Sequence, residues 1–126
     1  MSFNIDFLQK KIIVTFNNPY EKGDIRNSFI NITENINLKK IDHLIYDYSN
    51  IKSFSTPKEY IKILKLLTKF STSWHNNLNI LCIAKNIDLR NMITTIIGYN
   101  KNLDLKWNYM LFKNLEETLK WCAENE

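Results

Sequence analysis

The chain has 126 residues, 44% hydrophobic, 13% aromatic and 24% charged, which suits one folded domain spanning 1–126 and not a disordered segment. With 2 Gly and 2 Pro it has no glycine-rich phosphate loop, no linker-rich stretch and little material for an all-β array of tight turns. A net charge of +4 favours acidic partners, but Arg26 and Arg90 are the only arginines, which disfavours nucleic acid as a partner.

Cys82 and Cys122 are too few for a secreted disulfide framework. Cys82 lies in the apolar run Ile80, Leu81, Cys82, Ile83, Ala84, where a thiol acts as a small hydrophobe. The opening residues 1–6 do not read as a signal peptide, and no run approaches the ~18 apolar residues of a membrane-crossing helix. A soluble, cytoplasmic protein is expected. The triplet Asn31, Ile32, Thr33 matches a glycosylation acceptor, but it falls within a helical pattern.

Phe3, Ile5 and Phe7 alternate with polar residues, and Ile12 to Phe16 follow after Gln9, Lys10 and Lys11. The pattern predicts two strands joined as a hairpin, with no Gly or Asn to shape the turn. After a loop around Pro19 and Gly23, Asp24 is the expected N-cap of a helix with Ile25, Phe29, Ile32 and Ile36 on one face. Residues 43–48 then read as a strand closed by Ser49 and Asn50. Thr56, Pro57 and Glu59 open the next helix: Thr can cap, Pro suits the first helical position, and Glu completes a capping box. That helix directs Tyr60, Ile63, Leu64, Leu67, Phe70 and Trp74 toward a core. Lys58, Lys62, Lys65 and Lys69 form a narrow basic stripe on its other side.

Residues 78–84 predict a further buried strand. Asp88 is the expected cap of a helix with Leu89, Met92, Ile93, Ile96 and Ile97 inward, stopped at Gly98. Residues 107–112 form the last strand. Asn114 caps a final helix with Leu115, Leu119 and Cys122 on one side and Glu116 and Glu117 in its first turn. The order β-β-α-β-α-β-α-β-α predicts an α/β fold with a mixed, mostly parallel five-stranded sheet whose hairpin adds one antiparallel edge.

This element order resembles the STAS fold, that of the anti-sigma-factor-antagonist domain with its SpoIIAA-like and lipid-binding relatives. Residues 43–51 look like the strand and turn that precede that family's regulatory loop, and residues 114–121 are similar to its SpoIIAA-like ending. The resemblance implies helices mainly on one sheet face and a regulatory role exercised through a protein partner, a kinase or another regulator. Antagonists carry Asp-Ser-Ser-Gly in the loop, the first Ser being phosphorylated. The corresponding residues here are Ser55, Thr56, Pro57 and Lys58, so Thr56 takes the acceptor place while the Asp and Gly are absent.

Ser49, Ser53, Ser55 and Thr56 are therefore the candidate phospho-acceptor or partner loop, against the plainer reading of Thr56 as an N-cap. The lysine stripe is the candidate docking helix, against the plainer reading of a solvated face. His43 and His75 have no metal-ligand spacing to either Cys, and no nucleophile motif occurs. Asp47, at a strand's carboxyl end, reads as a turn-former or helix-cap partner before it reads as a base. No catalytic residue, metal or cofactor is expected. Both sheet faces offer apolar or aromatic groups, so a face without helices needs a cover: the hairpin and loops, a second copy in a homodimer, another domain, or a hydrophobic ligand. The expected function is a non-enzymatic regulatory or protein-interaction module. The alternative is binding of a lipid or other hydrophobic small molecule.

Overall fold

The computed structural model describes residues 3–17, 23–35, 41–51, 78–102 and 108–125. Strands β1 (Phe3–Leu8) and β2 (Lys11–Phe16) form the expected antiparallel hairpin, in the register Phe3↔Phe16 to Leu8↔Lys11. Lys10 sits in its two-residue turn at φ 60°, the left-handed region that Gly or Asn enters more easily. The Lys10 carbonyl accepts from Asp42 N at 2.8 Å and His43 N at 3.3 Å, tying the turn to the next strand.

Helix α1 (Asp24–Asn35) leads to β3 (His43–Asp47), and β4 (Asn79–Ile83), α2 (Ile87–Asn102), β5 (Asn108–Phe112) and α3 (Leu115–Glu124) follow among the described residues. The sheet runs β1-β2-β3-β4-β5, with β2 to β5 mutually parallel. The α/β class and the five-stranded, mostly parallel sheet with an antiparallel edge are therefore present. The helix expected from Thr56, with Lys58, Lys62, Lys65 and Lys69, lies outside the described residues, as do Ser53, Ser55, His75 and Trp107.

Three helix boundaries differ from expectation. Asp24 is the first residue of α1 and not its cap. Gly23, at φ 94°, holds the capping place, its carbonyl accepting from Asn27 N at 2.9 Å. Asn86, not Asp88, caps α2: its Oδ1 accepts from Asp88 N at 2.9 Å and Leu89 N at 3.2 Å. Gly98 does not stop α2, which runs on to Asn102. A glycine on an exposed helix surface weakens it by only ~1 kcal/mol. Asn114 caps α3 as expected, its Oδ1 accepting from Glu117 N at 2.8 Å.

Alternation along the strands divides the core in two. The first face gathers Ile12, Val14, Phe16, Leu44, Tyr46, Ile80, Cys82 and Tyr109 with Ile32 of α1 and Leu89, Met92 and Ile93 of α2. Consecutive parallel neighbours joined by crossovers of one hand put their connecting helices on the same face, and α1 and α2 obey this. The second face gathers Ile13, Ile45, Leu81 and Ile83, and Cys122, Leu115, Leu119 and Trp121 of α3 pack there. The cover for that face is thus the last helix, which the sequence pattern placed on no particular side.

Candidate functional site

In a parallel sheet the strands end together on one rim, and connecting loops and helix amino ends collect there. Here the rim comprises the Asp47 turn, the segment Ala84–Lys85–Asn86–Ile87 and the pair Lys113–Asn114. Asp47 is buried, and its Oδ1 accepts from Ser49 N at 2.9 Å and from the Ser49 hydroxyl at 2.5 Å. The carboxylate thus closes an Asx turn, the turn-forming role expected of it. Tyr48 N donates to Ile83 O at 2.8 Å, and Ile51 N returns to Tyr48 O at 3.0 Å, so the chain is held against the sheet through Ile51.

Arg90 secures the other side of the rim. From the first turns of α2 its Nη1 donates to Ala84 O at 2.8 Å and lies 3.5 Å from Phe112 O, at the ends of β4 and β5. These carbonyls lie where the ladder runs out, with Ala84 N to Phe112 O stretched to 3.4 Å. The two hydrogens of the one Nη1 group can serve both carbonyls. Sequence reading missed this residue, because periodicity marks Arg90 only as a polar helix position. Between these anchors Ile87 stands out: a large apolar side chain 71% exposed, flanked by exposed Lys85 and Asp88.

Of the candidate acceptors, Ser49 is placed in the rim with its hydroxyl donating to Asp47. A phosphate on Ser49 would replace that donor with a dianion against a carboxylate, and the turn would have to open. Ser53, Ser55 and Thr56 lie outside the described residues.

At the opposite end of the sheet, His43, Asn79 and Asn108 form a polar row on the second face. Asn79 Nδ2 lies 3.2 Å from His43 Nδ1, and Asn108 Nδ2 donates to Asn79 Oδ1 at 3.4 Å. Trp121 meets the His43 ring edge-on at 5.5 Å. His43 is thus a buried strand histidine packed beneath α3. Among the described residues no three His, Cys, Asp or Glu side chains gather as a metal site, and no helix is long and apolar enough to cross a membrane.

Comparison with protein-family models, with curated proteins and with solved structures finds no match to this chain.

Proposed function

We propose that the chain is a regulatory protein-interaction module of the STAS kind, working through the rim at the carboxyl ends of its parallel strands and without bond chemistry of its own. The observation that carries this reading is Ile87, 71% exposed on a rim whose backbone is otherwise fastened by Asp47, Asn86 and Arg90. An exposed aliphatic group on a rigid support loses little entropy when a partner covers it, and flanking charges orient the partner. A protein partner, a kinase or another regulator, would dock there. Phosphorylation at Thr56, Ser55, Ser53 or Ser49 would change the charge met by that partner, and the lysine stripe would steer an acidic approach.

Affinity capture from extracts of the native cells, followed by titration of the captured partner, tests this. Ile87→Asp is expected to weaken binding at least tenfold without changing the melting curve, because an exposed side chain adds little to stability. Lys62→Glu with Lys65→Glu is expected to slow association, most at low salt. Undiminished binding by Ile87→Asp would remove the rim from the reading. A hydrophobic small molecule retained in native mass spectrometry, with no protein captured, would replace the reading with ligand binding.

A further inference from the structure

Strand β1 ends the sheet, and no strand lies beyond it among the described residues. Such an edge presents a row of backbone donors and acceptors to any strand of matching chemistry. The two-residue turn Gln9-Lys10 makes Leu8 and Lys11 the closing pair. Backbone groups of Asn4, Asp6 and Leu8 therefore face β2, and those of Phe3, Ile5 and Phe7 face outward. The edge also carries two large apolar side chains in water, Phe7 at 46% and Leu8 at 45% exposure. It has neither the Lys nor the Pro that commonly blunts such edges; Asp6 is its one charge.

We propose that β1 pairs antiparallel with β1 of a second copy of this chain, about a two-fold axis passing at Ile5, so that one sheet continues across both molecules. An axis normal to the sheet keeps like faces together, so the axis can pass at Asn4, Ile5, Asp6 or Phe7 but not between residues. At Asn4 or at Phe7 only a short overlap of the described strand is paired, residues 3–5 or residues 6–8. At Asp6 the two Asp6 carboxylates stand directly opposite, which is destabilising. With the axis at Ile5, Phe3 faces the partner's Phe7, Ile5 faces the partner's Ile5, and Asn4 faces the partner's Asp6. Every aromatic meets an aromatic, and each carboxylate meets an amide that can donate to it. The outward backbone groups of Phe3, Ile5 and Phe7 are also those this register needs for its ladder. The single charge that would spoil a neighbouring register is thus the group that selects this one. The surface is separate from the rim at Ile87, and either can fail without the other.

An edge of six residues buries less than a standard interface, so dissociation on the order of 100 µM is expected. Sedimentation velocity of the full chain from about 10 µM to about 1 mM should show the mean mass rising toward a dimer, and Phe7→Lys should abolish that rise. Oxidation of Ile5→Cys at high concentration should trap a disulfide-linked dimer, because directly opposed residues lie ~5.5 Å apart at Cα, within disulfide reach. Asn4→Cys and Asp6→Cys, offset by two residues from their own copies at ~7–8 Å, should link at least tenfold more slowly. The native thiols, Cys82 and Cys122, are buried and do not compete. A wild-type chain that stays monomeric to 1 mM would overturn the proposal. So would faster linking of Asp6→Cys or Asn4→Cys than of Ile5→Cys, or an edge occupied by a strand of another protein.

Discussion

Cys82 shows how one buried side chain sets a pH limit. It lies on β4 between Tyr46 and Leu111 in the strand register, and burial pushes its thiol from an ordinary value near 9 up to about 12. Between those values the unfolded chain releases a proton that the folded chain keeps. The stability this thiol contributes is therefore fully present below about pH 9 and is lost as pH rises toward 12, by at most ~1.4 kcal/mol per pH unit. Urea denaturation at pH 8, 9.5 and 10.5 should show a steeper alkaline loss for the wild type than for Cys82→Ala, the difference isolating the thiol from Tyr and Lys titration. Equal slopes would mean that the native state lets the thiolate reach water. The burial was legible because Cys82 sits inside an uninterrupted apolar run. Asp47 was legible as a turn-former or cap partner because a lone carboxylate at a strand's carboxyl end more often serves the backbone than acts as a base; its partner Ser49 emerges from the fold. Arg90 was not, since its acceptors are carbonyls six and twenty-two residues away that only the folded sheet brings together.

Among the elements, the strands were legible and the helix ends were less so. Period-two alternation leaves no choice of face once one side is buried, and all five strands fall within or next to the expected segments. Caps depend on which of several nearby acceptors folds back. Asn86 and Asp88 are both good caps, and Asn86 prevails because its oxygen reaches two free N–H groups, leaving Asp88 in the first turn where the dipole favours its charge. Among the described residues the hairpin turn is the least comfortable junction. A lysine at φ 60° is disfavoured by ~1–2 kcal/mol, whereas glycine enters that region freely but has more unfolded-state entropy to lose. Lys10→Gly is accordingly expected to raise stability by about 0.5–1 kcal/mol, read as a higher urea midpoint at unchanged slope. Its carbonyl bonds to Asp42 and His43 are backbone interactions and survive the change. A lower midpoint would mean that the lysine side chain contributes more than its strained backbone loses.

At the scale of the whole sheet, the described helices cover it in two different ways, and the difference explains what the sequence left open. α1 and α2 each join parallel neighbours, so the handedness of the crossover dictates their side. No strand of the described sheet follows α3, so no crossover rule applies to it, and only burial decides where it goes. The deciding groups are on both partners: Ile45, Leu81, Ile83 and Phe112 on the second face, and Leu115, Leu119, Trp121 and Cys122 on the helix. Trp121 spans the junction, 6.2 Å from the Phe112 ring and edge-on to His43. Together these helix side chains contribute on the order of 5 kcal/mol, comparable with the entire net stability of a domain this size. A chain ending at Lys113 is therefore expected to keep much of its far-ultraviolet dichroism, bind the dye ANS and lose its sharp melting transition. Trp121→Ala, a smaller lesion, should lower stability by about 2–3 kcal/mol while leaving unfolding cooperative. If the shortened chain instead melted as sharply as the full one and bound no dye, the second face would have to be closed by something other than α3.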